Sequence, residues 1–415
     1  MSGLLAHRRA RMGGRDPGES HRTATPLELL FDLTFVVAFG IAADELAHFL
    51  AEDHVKAGLL GFAFATFAIN WAWINFSWFA SAYDTDDWVY RLTTMVQMVG
   101  VIVLALGLPD MFQSIDDGGA IDNRVMVAGY VVMRLAMVFQ WGRAARHDPD
   151  RRATCITYIK AILIAQAGWV ALLIANTSLA VTIVCVVLLT LVEFAGPWIA
   201  ETRKGGTPWH PHHIAERYGL LVIIALGEGV IGTIASLSAV VGPEGPGWSI
   251  DAAALALAGI GLTFGLWWIY FVIPSGEALH ANRQRAFGWG YGHIPLIGGV
   301  VGTGAGLHVA AYYLEEESVL GASATVLTVV IPVAVYFLSV FVLYAYLTHS
   351  FDPFHLTMIA ITAVFLVAPL FMASAGVSMA WCLVVLSLSP WVTVAGYELH
   401  SHQHNAEVIA RLSRA

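Results

Sequence analysis

Twelve stretches of about twenty mainly apolar residues follow one another along this chain, each the length an α-helix needs to cross the hydrocarbon of a bilayer. A segment in lipid must satisfy its own backbone N–H and C=O groups, so such runs fold as helices. Their predicted extents are 27–50, 57–79, 91–112, 124–142, 154–175, 179–200, 214–240, 252–273, 290–313, 321–347, 354–374 and 377–398. The links are short and rich in turn residues: DDGG at 116–119, HDPD at 147–150, KGGTP at 204–208 and GPEGPG at 242–247. Only Asn176 parts the fifth run from the sixth, so a reading with eleven helices stays open. The expected fold is all-α: a polytopic membrane protein of about twelve transmembrane helices, arranged as two parallel six-helix repeats.

Composition agrees. Charged residues make up 12% of the chain and hydrophobic ones 58%, whereas about 25% of a soluble domain is charged. A chain this poor in charge cannot clothe a water-facing surface, which excludes a soluble enzyme, a disordered chain and a nucleic-acid binder. Cys155, Cys185 and Cys382 all lie in apolar runs and read as small buried hydrophobes rather than disulfide partners. The first two dozen residues are basic and polar, without the apolar core of a cleavable signal peptide.

Lys and Arg in the links set orientation. With the N-terminus in the cytoplasm, Arg8, Arg9, Arg11, Arg15, Arg22, Arg91, Arg143, Arg146, Arg151, Arg152, Arg203, Lys204, Arg283, Arg285, Arg411 and Arg414 fall inside. Only Lys56 and Arg124 fall outside. This bias implies an even number of spans in a bacterial cytoplasmic (inner) membrane, with both termini cytoplasmic. The expected organisation is a basic N-terminal segment at 1–24, a first six-helix half at 25–203, a second at 204–400 and a cytoplasmic tail at 401–415. An internal likeness supports the halves. LELLFDLTFVVAFG at 27–40 resembles AERYGLLVIIALGE at 215–228, with Glu28 facing Glu216, and WAWINF at 71–76 resembles LWWIYF at 266–271. Six spans per half preserve orientation, so the repeats would be parallel.

A charge at the centre of a membrane helix costs about 2.5–3.5 kcal/mol on insertion scales, so the exceptions are where function is sought. Glu28 and Asp32 sit four apart on one face of the first helix. Thr25, Pro26 and Glu28 also match a capping box, with proline at the first helical position. Asp32 lies deeper and is read either as one half of a buried pair or as lining a polar pathway. The seventh helix carries Glu216, Arg217 and Glu228. Glu228 is about 18 Å beyond Glu216 along the axis, near mid-membrane, and its flanking Gly227 and Gly229 permit close approach of a helix or ligand. Arg134, midway along the fourth helix, calls for a carboxylate, with Asp32, Glu193 and Glu228 as candidates. His293 opens the ninth helix and is read either as a group titrating near neutral pH or as an imidazole bridging helices. Gly298, Gly302 and Gly306 recur every four residues there, a close-packing face. His210, His212, His213 and Glu216 fit no closed four-ligand metal site, and the histidines at 400, 402 and 404 read as a wet tail. No metal and no cofactor are expected.

TPLELLFDLTFVVAF, WINFSWFASAYDTDD, HHIAERYGLLVIIALGEGV and RQRAFGWGYGHIPLIGG occur in this order, and together they resemble the bacterial low temperature requirement A family over about residues 22–400. The resemblance implies a multi-pass membrane protein and marks Glu28, Phe31, Asp32, His213, Glu216, Arg217, Gly227, Glu228 and His293 as motif positions without assigning them chemistry. Where such motifs often continue from Gly-Glu with serine, Gly229 stands here. A lesser likeness, to the lysosomal-type potassium channel family of two six-helix repeats, rests on Phe31-Asp32 without the intervening serine. The favoured expectation is a secondary transporter of a small solute or ion, proton-coupled through Glu228 or Asp32. The alternatives are an ion channel built from the two repeats and a membrane sensor or stress-related scaffold. No nucleophile–base pattern suggests an enzyme. The expected partners are the lipid bilayer, an unspecified solute or ion and no nucleic acid, and a homo-oligomer is compatible with the pattern.

Overall fold

A computed structural model of the chain describes residues 10–19, 22–242, 245, 247–349 and 353–412, without the side chains of 400–412. Arg8, Arg9 and Arg414, and the side chains of Arg411, His400, His402 and His404, lie outside what it describes. Among the described residues there are helices and no strands. Among the described residues, twelve spans are long and apolar enough to cross a membrane: Pro26–Ala51, Val55–Tyr83, Trp88–Asp116, Arg124–His147, Arg152–Ala175, Leu179–Arg203, Pro211–Val241, Ile250–Ala281, Arg283–Leu314, Ala322–Thr348, Pro353–Ser374 and Met379–Leu399. The eleven-helix reading falls, because Asn176 takes φ 46° and ψ 57°. This left-handed turn ends one helix and lets the next begin at Leu179.

Several helices outrun their apolar stretches, since polar residues at the ends supply caps that hydropathy does not register. The third span starts where the Asp87 side chain accepts a hydrogen bond from the Tyr90 N–H (2.8 Å). The eighth starts where Ser249 accepts one from Ala252 (3.1 Å). The capping box expected on the first span is present: the Glu28 N–H donates to Thr25 Oγ1 (3.3 Å) and the Thr25 N–H to Glu28 Oε2 (2.8 Å).

The chain divides into two compact units, one of residues 1–41 and 67–217, the other of 42–66 and 218–415. In the first unit the interior is aromatic. Phe31 lies against Phe76 with ring centroids 3.8 Å apart, and Trp141 stacks on Tyr158 at 4.1 Å. The third and fourth spans approach backbone to backbone, so that a Cβ on Gly100 would stand 2.7 Å from the Gly129 carbonyl oxygen and 3.0 Å from the Met133 nitrogen.

The second unit relies on the glycine-rich ninth span. The close-packing face read from Gly298, Gly302 and Gly306 is redistributed. Gly302 and Gly306 meet the tenth span at Pro332 and Thr328, whereas Gly298 makes only an ordinary 3.4 Å contact with Thr66. Gly304, which that register omits, abuts the seventh span. The reason is that the ninth span touches several neighbours, so its small residues serve more than one stripe.

Gly100→Val should lower stability in detergent by about 1–3 kcal/mol through overpacking. The check is its thermal midpoint against that of Gly142→Val, where a Cβ would meet nothing within 4 Å.

Candidate functional site

In the first unit the membrane charges are neutralised by neighbours. Arg217 grips Asp32 with two parallel bonds, Nη1 to Oδ2 and Nη2 to Oδ1, both 2.7 Å. Asp32 Oδ1 also accepts from the Trp73 indole N–H (2.7 Å), and the guanidinium lies over the Trp73 ring, 5.4 Å from its centroid. Glu28 stands one helical turn away. Its Oε1 is 3.2 Å from His213 Nε2 and 3.8 Å from Arg217 Nε. The side chains of Glu28, Asp32, His213 and Arg217 are fully buried. The expected shared face of Glu28 and Asp32 is thus real, and what it meets is an arginine and a histidine of the seventh span. Glu216, on the same span, is half-buried.

A second cluster answers the question of Arg134. Of its three candidate partners the structure selects Glu193, which is ion-paired with the Arg134 guanidinium. The Tyr130 hydroxyl accepts from Arg134 (2.7 Å) and donates to Glu193 Oε1 (2.9 Å). The indole of Trp71 donates to Glu193 Oε2 (2.8 Å) and that of Trp169 to Oε1 (3.4 Å). Ions with this many partners fasten helices to one another. Removing one partner would strand a charge in a dry interior.

Two further pairs close the helix ends, and the sequence reading misses both. Arg143 bonds Asp87 and the carbonyl of Ala10 (2.9 Å), while the Ala10 N–H donates to Asp87 (2.8 Å). Arg22 lies 3.7 Å from Asp84. In the sequence Arg22 and Arg143 read as orientation signals only, yet they are 7% and 4% exposed. The run of acids in YDTDD, between two apolar stretches, is the signal that basic partners are needed. Outside the membrane-spanning segments these acids differ in proton affinity. Burial is the largest single influence on Asp87 and opposes its ionisation, but the hydrogen bonds from Arg143 and from the Tyr90 and Ala10 N–H groups, with the Arg143 charge, together outweigh it and hold the carboxyl below its ordinary range. At Asp84 burial dominates, with repulsion from Glu28 added, and the pKa is pushed up to about 6 despite Arg22.

In the second unit the titratable groups are differently placed. His293 bridges helices: its Nδ1 is 2.8 Å from the Trp289 carbonyl and its Nε2 2.9 Å from the Tyr270 hydroxyl. Both ring nitrogens are occupied, and the rings of Tyr218 and Trp289 pack on it.

Glu228 is the contrast. It is 2% exposed, lies seventeen residues into a 31-residue helix, and has no hydrogen-bond or ion-pair partner among the described residues. A Cβ on Gly304 would stand 2.6 Å from its carbonyl carbon and 2.7 Å from its Cβ, so the ninth span presses its bare backbone against this residue. Gly229 faces Thr263, at 2.6 Å from an added Cβ to Oγ1. Gly227 has open space where a Cβ would go, and it borders an apolar cavity of about 470 Å³ walled by Phe264, Trp267, Trp268 and Trp391.

The family model of the bacterial low temperature requirement A protein matches residues 23–389. An uncharacterized protein of Rhizobium meliloti (strain 1021) is 27% identical over 302 residues, which is 67% of this chain and 67% of the relative. No solved structure matches the chain significantly.

Asp32→Asn should cost about 3–5 kcal/mol, because buried Arg217 loses its bidentate partner and keeps only Glu28, 3.8 Å away. Combining Asp32→Asn with Arg217→Gln should cost less than Arg217→Gln alone, as read from thermal midpoints in a double-mutant cycle. Asp84 gives a pH dependence of defined sign. Its folded pKa lies above the unfolded value, so the stability it contributes is complete below about pH 4 and lost as pH rises through about 6. Asp84→Asn should flatten that part of the melting profile between these limits.

Proposed function

The chain belongs to the bacterial low temperature requirement A family and is an integral membrane protein with twelve helices long and apolar enough to cross the bilayer; we propose that it is a secondary transporter of a small solute or ion in which Glu228 takes up and releases the coupling proton. The single observation carrying this reading is that Glu228 is buried near the middle of its helix without a cation, while Asp32, Glu193, Asp84 and Asp87 each have an arginine partner. A carboxylate paired with an arginine has its counter-ion fixed beside it. One without a fixed partner exchanges a proton with whatever the site meets. Glycines on both sides of Glu228 and opposite it favour close, adjustable helix contact rather than a bulky lock. The proposal includes the inner-membrane location with cytoplasmic termini, which rests on the bias of Lys and Arg, and the two parallel repeats, which rest on the internal sequence likeness. No nucleotide-binding loop is present in the sequence, so an ion gradient is the expected energy source.

In proteoliposomes carrying a luminal pH dye, gradients of amino acids, sugars and monovalent cations are imposed in turn. At least one should move protons in the parent protein with saturable kinetics, and Glu228→Gln should abolish that movement while its melting curve stays close to the parent's. A Glu228→Gln protein that moves protons as well as the parent would overturn the coupling role, and unitary currents without saturation would replace the transporter by a channel.

A further inference from the structure

We propose that Asp44 and His308 form a proton-uptake site that serves Glu228 from the membrane face where the first and ninth spans end; this rests on the reading of Glu228 as a proton carrier. The two side chains come from different helices of the second unit. His308 Nδ1 is 3.5 Å from Asp44 Oδ1, and the Asp44 side chain is 64% exposed whereas that of His308 is 14% exposed. The other ring nitrogen, Nε2, is buried and has no hydrogen-bond partner among the described residues. The imidazole thus presents one nitrogen to an exposed carboxylate and the other to the interior, as a group does that passes a proton inward.

The register of the helices brings the His308 ring beside the seventh span, one turn from Glu228. Gly304 abuts Glu228, and Gly232, one turn on from Glu228, abuts both Gly304 and His308: a Cβ there would stand 2.6 Å from the Gly304 oxygen and 3.0 Å from His308 Cδ2. The Ser236 hydroxyl, a further turn on, donates to the Leu307 carbonyl (2.6 Å). The seventh and ninth spans therefore run side by side in register, with His308 one turn, about 6 Å of rise, beyond the level of Glu228. One or two water molecules cover such a gap. Asp44 is seven residues from the end of its helix at Ala51 and His308 six from Leu314. The two ends lie together, since the Val319 N–H and the Ser318 hydroxyl both donate to the Ala51 carbonyl (2.9 and 3.1 Å). Asp44 of the first span acts electrostatically on His308, on Glu228 of the seventh span and on Tyr312 of the ninth, which also feels Glu45.

The step balances as follows in atoms. A proton from water, gathered at Asp44, adds to Nδ1 and makes an imidazolium. The Nε2 proton then leaves through the intervening water to the Glu228 carboxylate, giving a carboxylic acid and a neutral ring protonated at Nδ1. Rotation or reverse exchange resets the ring.

The experiment uses the full-length protein in detergent. A stopped-flow acid jump is followed by the infrared C=O stretch of a protonated carboxyl, assigned to Glu228 by its loss in Glu228→Gln. In the parent the band should appear rapidly. In Asp44→Asn and in His308→Ala it should reach the same final amplitude but on the order of a hundredfold more slowly, and free imidazole should restore the rate of His308→Ala. Asp44 is largely exposed, so its variant keeps the test valid if loss of His308 disturbs the fold. Unchanged rates in both variants would overturn the uptake site and leave the role of Glu228 standing. Absence of the band in the parent would overturn the role of Glu228 itself.

Discussion

The bidentate pair between Arg217 and Asp32 is the constraint around which the first unit is organised. Neither ion tolerates a dry interior alone, and the planar guanidinium offers two parallel donors that a carboxylate accepts at 2.7 Å each. To complete the set, Trp73 must turn its indole N–H to the same carboxylate and Glu28 must sit one turn below, within reach of His213. The first, second and seventh helices are thereby held in one register. The capping box at Thr25 then acquires a second use: it orients Glu28 as well as starting the helix. The Arg134 and Glu193 pair repeats this logic with tyrosine and two tryptophans as extra partners.

Against this background an uncompensated carboxyl is informative. A protein that supplies arginines to buried acids such as Asp32, Glu193, Asp84 and Asp87 has the means to neutralise another, and at Glu228 it supplies glycine instead. Backbone contact at Gly304 leaves no room for a cationic side chain there. The site is thus open to a mobile charge rather than filled by a fixed one. In the proposed uptake step, His308 and its neighbour Asp44 give a proton a route to Glu228. Architecture and the proposed chemistry divide along these lines: charges with partners hold helices, and the proposed exchange is assigned to the carboxyl without one.

Much of this is legible in the chain. The twelve helices, the capping box, the partnership of Arg134 with an acid and the depth of Glu228 all follow from spacing and from the cost of charge in lipid. Other features are not. Asp84, Asp87 and their arginines read as loop acids and orientation signals, because hydropathy places them at the membrane edge and says nothing of burial. Gly304 escapes notice because a four-residue period through Gly298 assumes that the ninth helix has one neighbour. His308 is simply one of two distant histidines on its helix, since its partner Asp44 lies far back in the chain, on the first helix.

The sequence by itself determined the solvent in which this protein lives, the approximate number of helices that cross it and the residues whose presence there demands explanation. It could do so because length, hydropathy and backbone hydrogen bonding are local properties, read one helix at a time. Which charge meets which was decided only in three dimensions. A side chain's partners depend on the rotation of each helix about its own axis and on where small residues let two backbones touch. That is why Arg134 meets Glu193 and why Arg217 meets Asp32, while Glu228 meets a glycine.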